Sequence, residues 1–171
     1  KDLRIQSNRL FFAWHYFKQL MIFFPLKLFE SIETAGEESY PREACGLILG
    51  NEDCNSKKIV TQVIKSQNVT NSDPLQNFQI DPQVQFDTIR MLEKQNNMGT
   101  AKTKIIGHYH SHPDQSAYPS KKDISLVYQL NLFWIITSVV NKKSIDTKAY
   151  IFNKQVHTFD KLELHIWNKN V

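Results

Sequence analysis

The stretch from Gly107 to Ile124, GHYHSHPDQSAYPSKKDI, constrains the chain more than any other. The run KIIGHYHSH reads as a β-strand that ends at Pro113, and Pro119 closes the loop after it. Side chains alternate along a strand, so His110 and His112 point to one face, with His108 one pleat back, while Tyr109 and Ser111 point to the other. Beyond the loop, Ser120-Lys-Lys-Asp123 is a capping box that opens a helix over SKKDISLVYQLN. Two imidazoles on one strand face can converge on a single ion. Zinc takes a tetrahedral set of nitrogen, oxygen or sulfur ligands, and a catalytic site supplies three of them and leaves the fourth position for water. Asp123, held in the first helical turn, is the candidate third ligand, and a carboxylate keeps the donor set hard enough to disfavour copper. The same residues also read as a polar loop and a capped helix with no metal. The two readings coexist, because the cap would hold Asp123 where a ligand is wanted.

The remaining pattern predicts alternating elements. Ile22 to Phe24 reads as a short strand, and Leu26, Phe29, Ile32 and Ala35 recur at helical spacing up to Gly36. CGLILG (Cys45 to Gly50) and Ile59 to Ile64 read as strands joined by the turn material NEDCNS. After the Pro82 start signal, Val84 to Leu92 forms an amphipathic helix that includes Phe86 and Ile89. FWIITSVV is a buried strand, and TKAYIF, QVHTF and LELHIW are three further strands split by Asn-Lys turns. Helices interleaved with strands and then a strand-rich end predict an α/β sandwich around a mixed sheet.

Composition narrows the function classes. With 171 residues, 41% hydrophobic and 22% charged, the chain is the size of one folded domain and is too apolar to be disordered. Its net charge of +4 is spread over lysine doublets, which gives no block for nucleic acid to bind. Leu10 to Phe29 holds six of the eleven phenylalanines and imitates a membrane anchor. His15, Lys18, Gln19, Pro25 and Lys27 interrupt it below the roughly 20 apolar residues that a span needs. Residues 1–20 are therefore predicted to be an N-terminal extension, with packing or self-association preferred over membrane insertion, and residues 21–171 the domain proper. Cys45 and Cys54 form neither a disulfide framework nor a metal clamp, so a reducing, cytoplasmic setting is expected.

The pattern His110-Ser111-His112, seven residues, Ser120, two residues, Asp123 resembles the JAMM signature of the MPN-plus zinc metallopeptidases, which carry a JAB domain. Pro113 and Pro119 are similar to those of its compact, stand-alone bacterial members. YPREACGLILG (Tyr40 to Gly50) resembles the family's Pro-x-Glu-x-Cys-Gly segment and supplies Glu43, and NVTNSDPLQNFQIDPQ (Asn68 to Gln83) resembles the stretch between the two halves. The resemblance implies a cytidine-deaminase-like α/β/α sandwich around a mixed sheet, the JAB/MPN fold. It implies that His110, His112 and Asp123 bind Zn2+, that Glu43 is the general base, and that Ser120 helps to stabilise the oxyanion. It further implies hydrolysis of an amide bond at the C-terminus of a ubiquitin-like or sulfur-carrier protein with a flexible tail. That tail is expected to add as a strand to a sheet edge.

Alternatives remain open on the residues alone. A solvated carboxylate at a strand entrance is the plain reading of Glu43. His108 is expected to pack beside the site; as a fourth ligand it would close the site and make the zinc structural, as in a non-catalytic MPN-type partner-binding module. Cys45 reads as a small buried hydrophobe and Cys54 as a free thiol. Asp114, His15, His157 and His165 have no partner spacing that singles them out. Zinc deaminases are disfavoured, because His-x-Glu and Pro-Cys-x-x-Cys are missing.

Overall fold

A computed structural model of the chain describes residues 21–53, 57–99 and 102–168. The expectations for residues 1–20, which include His15, and for Cys54 fall outside the described residues. The elements run β1 (Met21–Pro25), α1 (Leu26–Ser39), β2 (Cys45–Glu52), β3 (Lys58–Ser66), α2 (Pro82–Asn97), β4 (Lys104–Pro113), α3 (Lys121–Ser125), β5 (Phe133–Val140), β6 (Lys143–Asn153) and β7 (Thr158–Trp167). Among the described residues, no helix is long and apolar enough to cross a membrane.

Helix α1 begins directly after Pro25, whose fixed φ suits a helix start and which has no N–H to leave unpaired. Its inward stripe is Phe29, Ile32, Ala35 and Gly36. This stripe meets Ile22, Phe24, Ile48, Tyr109 and Ile135 from the sheet in one buried cluster. Each large member removed from water contributes roughly 1.5–3 kcal/mol.

The strands are ordered β1-β3-β2-β4-β5-β6-β7, and β1 pairs in parallel with both β3 and β7, which closes the sheet. β4 and β5 are also parallel, and the other neighbours are antiparallel. The sheet is mixed, as expected, but the sandwich is corrected to a closed barrel-like sheet wrapped on one helix. The physical reason is that its two faces are covered unequally. Helix α1 packs against β1, β3, β4, β5, β6 and β7. The opposite face of β5 and β6, with Trp134, Ile136 and Tyr150, is covered by Ala117, Phe78, Leu126 and Val127 from loop segments.

Closure also limits the sheet edges near the histidines. β4 is paired with β2 from Lys104 to His110 and with β5 from Gly107 to Pro113, so His108 and His110 have a neighbour on both sides. Among the described residues, no edge is free at His108 or His110 for an added strand.

Two local expectations change as well, and the inward face of α2 is now defined. The helix after Ser120 stops at Ser125, because Leu126 and Val127 both turn into the Trp134 cluster. Successive residues of a continued helix would point about 100° apart. In α2 the inward residues are Thr88 and Leu92, whereas Phe86 and Ile89 are 57% and 41% exposed. Thr88 can face inward because its hydroxyl donates to the Val84 carbonyl at 2.7 Å. QVHTF and LELHIW do not form separate strands: Thr158–Trp167 is one strand, and residues 154–157 are the turn before it.

Tyr109 is 1% exposed in the inner core, and its hydroxyl has no partner among the described residues. Burial pushes its pKa up. Tyr109→Phe removes an unpaired buried polar group, so stability should hold or rise by about 1 kcal/mol. Thermal unfolding checks this; a drop of that size would mean that the hydroxyl has a partner after all.

Candidate metal centre

A bulge in β4 sets the histidine face. Between Ile48 and Leu49 of β2 the pairing steps from Gly107 to Ile105, so Ile106 is the extra residue on β4. Ile106 and Tyr109 thereby both enter the α1 core, while His108, His110 and His112 emerge opposite Trp134, Ile136 and Ser138 of β5 on the other face. Ser111 between them points the other way, and its hydroxyl accepts from the Ala44 N–H at 2.8 Å.

The predicted ligands converge. His110 Nε2 lies 3.0 Å from His112 Nε2 and 3.2 Å from Asp123 Oδ1, and His112 Nε2 lies 3.5 Å from Asp123 Oδ2. All three residues are buried, and each offers a donor atom within 4.8 Å of the others. Ligand atoms held tetrahedrally at about 2.1 Å from one ion stand roughly 3.4 Å apart, so the spacings suit a single small cation. The capping box is present: Ser120 Oγ accepts from the Asp123 N–H at 3.1 Å, and Asp123 Oδ2 accepts from the Ser120 N–H at 2.6 Å. The cap and the cluster use the same carboxylate.

Charge supports a cation here. Burial works against ionisation of Asp123, but the His110 and His112 imidazoles and the Ser120 side chain outweigh it and hold the carboxyl well below its usual range. Burial lowers the pKa of His110. For His112 burial acts the same way, but Asp123 and the Ser116 carbonyl overcome it and the net shift is upward. The His112 ring is oriented by Nδ1, which lies 2.9 Å from the Ser116 carbonyl. A proton on Nδ1 donates there, which leaves the Nε2 lone pair for the ion.

Glu43 is 5% exposed. Burial raises its carboxyl to about 7, opposed by His112 and assisted by Asp123, so it lies within electrostatic reach of both. The Glu43 N–H donates to the Pro74 carbonyl at 2.8 Å, and its carbonyl accepts from Asn68 Nδ2 at 3.0 Å. Asn68 also donates to Asn77 and accepts the Thr70 and Gln79 N–H groups. This one amide ties the loop before β2 to the loop before α2. Sequence reasoning missed it, since asparagine is ordinary loop material. Asn68→Ala leaves the Glu43 carbonyl and the loop unpaired, and is expected to cost about 2 kcal/mol of stability and to lower turnover more than metal content. Paired unfolding and metal measurements check this.

The residues expected to lie apart behave in several ways. The His108 ring centroid is 6.4 Å from that of His110, and its ring packs edge-on to Trp134 at 4.1 Å. Burial pushes His108 down to about 3. It lies outside the ligand cluster, as expected for packing. Cys45 is a buried free thiol paired across the ladder with His110, and burial pushes it up to about 12. Asp114, dismissed on spacing, accepts from the Tyr40 hydroxyl at 2.8 Å and so joins the loop after His112 to the segment before Glu43. Phe78, another residue with no signal in the sequence, stacks on His110 at 4.3 Å and 17°.

The family of prokaryotic homologs of the JAB domain matches residues 25–150. The chain belongs to this family. Among solved structures, protein DSY2949 from Desulfitobacterium hafniense is similar at 27% identity and a TM-score of 0.72, over 87% of this chain and 94% of that one. AF2198, a JAB1/MPN domain protein from Archaeoglobus fulgidus, matches at 19% identity and a TM-score of 0.50, over 87% of this chain and 97% of its own. A structure described as "JAMM: A Metalloprotease-like Zinc Site in the Proteasome and Signalosome" matches equally, over 87% and 99%. The last two bear on the fold alone, which is that of a JAB/MPN domain. No curated protein matches the sequence.

Proposed function

We propose that this JAB-domain protein is a zinc-dependent metallopeptidase or isopeptidase. Its substrate in this reading is an amide bond at the C-terminus of a ubiquitin-like or sulfur-carrier protein. The observation that carries the proposal is the buried His110, His112 and Asp123 cluster with the Glu43 carboxyl in electrostatic reach. The substrate class rests on the JAMM resemblance, and the reducing, cytoplasmic setting belongs to the same proposal.

His110, His112 and Asp123 would hold zinc, which supplies Lewis acidity toward a carbonyl and brings the pKa of a water toward about 7. Glu43, whose own affinity for a proton is near neutrality, accepts the proton as the water oxygen adds to the amide carbon. It returns that proton to nitrogen as the C–N bond breaks. Ser120 Oγ accepts from Asp123 and keeps its own O–H to donate to the oxyanion. No covalent intermediate is involved. A structural, closed zinc site is the weaker reading, because His108 packs on Trp134 and stands outside the ligand cluster.

The test pairs metal content with cleavage of carrier-protein adducts. The expected result is about one zinc per chain, with hydrolysis lost on chelation and restored by zinc. A chain that binds no zinc, or that binds it and cleaves no carrier amide, overturns the proposal.

A further inference from the structure

A cavity of about 300 Å³ opens beside the histidine face, lined by Leu47, Phe78, His108, Leu126, Leu132 and Trp134. It is continuous with the metal centre through shared rings. Phe78, which stacks on His110, is also 5.9 Å from the His108 ring, and Trp134 stands edge-on to His110 at 5.8 Å. Among the described residues the wall includes no Asp, Glu, Lys or Arg; its remaining polar members, Gln79, Gln85, Gln129 and Tyr128, are neutral groups.

We infer that this cavity is a specificity pocket that takes a bulky neutral side chain, leucine- or phenylalanine-like, within two residues of the scissile amide. The reach follows from spacing. The rings of His108 and His110 are 6.4 Å apart, and an extended peptide advances about 3.3 Å per residue. A peptide with its amide at the His110 and His112 end therefore sets a side chain over His108 within two steps. Because β4 is paired on both sides there, the peptide lies across the face that carries the cavity. An aliphatic or aromatic side chain gains by leaving water for these walls, whereas a carboxylate or ammonium would lose its hydration with no counter-charge among them. The inference rests on the hydrolase reading for its scissile bond. Occupancy of the pocket does not require turnover.

The test separates the two. Zinc-loaded Glu43→Gln protein is titrated with N-acetylated, C-amidated Gly-Leu-Gly and Gly-Asp-Gly while the Trp134 indole resonance, assigned with Trp134→Phe, is followed by NMR. The leucine peptide should move it, and the aspartate peptide should leave it unmoved at tenfold higher concentration. Leu132→Glu should abolish the response with zinc content intact, while Leu132→Met retains it; should Leu132→Glu fail to fold, Gln129→Glu places the same charge at the rim. On a carrier-tail peptide series, kcat/KM should favour leucine or phenylalanine over aspartate by about 10–100-fold in the parent and by under about threefold in the charged variant. An unmoved indole, or equal responses to the two peptides, overturns the pocket. A responsive indole in a protein that cleaves nothing overturns the hydrolase reading and leaves the pocket standing.

Discussion

His112→Ala abolishes metal binding and amide hydrolysis together, whereas Glu43→Gln keeps the metal and loses hydrolysis; this split is the largest effect expected of any substitution in the molecule. His112 supplies one of three donor nitrogens and oxygens, and its Nε2 lies 3.0 Å from His110 Nε2 and 3.5 Å from Asp123 Oδ2. Without it two buried donors remain, too few for the tetrahedral site. Glu43 contributes no atom to that cluster, so its amide analogue should leave the donors in place. What disappears is a carboxyl raised to about 7 by burial, and with it the acceptor and return path for the proton. Losing a positioned general base lowers kcat by about 10²–10⁴-fold. Metal analysis and turnover on one set of preparations decide the matter. Stoichiometric metal in His112→Ala would disprove the ligand set, and undiminished turnover in Glu43→Gln would disprove the base.

Gly46→Ala should destabilise the domain by about 3 kcal/mol, lowering the unfolding midpoint by roughly 6–12 °C for a chain of this size. A Cβ at Gly46 would stand 2.2 Å from the Ile64 carbonyl oxygen and 2.5 Å from the Tyr109 ring. The carbonyl belongs to the β2–β3 ladder and cannot swing aside as a flexible side chain would. The ring is wedged in the α1 core. Because β2 also carries Cys45 opposite His110 and begins just after Glu43, the strain should reach the centre as well. The double variant Gly46→Ala, Tyr109→Phe should recover little, since the backbone clash remains. Calorimetry checks the size of the loss; a midpoint within 2 °C of the parent would mean that the two strands can separate locally.

These two predictions draw on different kinds of information. The candidate metal centre was legible because its determinants are local. Strand alternation aims His110 and His112, and a capping box, satisfied within four residues, holds Asp123. Glu43 was legible only through the family resemblance. Nothing in its own neighbourhood distinguishes it from a surface carboxylate, and the loop that Asn68 ties to its backbone carbonyl comes from 25 residues away. Helix α2 was legible as a helix but its inward face was not, because periodicity counts apolar residues. It does not register that Thr88 can face inward once its hydroxyl is satisfied by the preceding turn, nor that Phe86 and Ile89 then face out.

The sequence by itself determined the strand and helix identities around the centre, the three candidate ligands and the membership in a JAB-domain family. These depend on periods of two and about four residues and on motif spacing, which survive whatever the rest of the chain does. Only the tertiary structure decided that the sheet closes through β1, that β4 has no free edge at His108 and His110, and that His108 packs on Trp134 outside the candidate ligand cluster. Each of those outcomes depends on contacts between residues far apart in the chain, whose relative placement is set by packing the whole sheet around α1 and cannot be read from any local pattern.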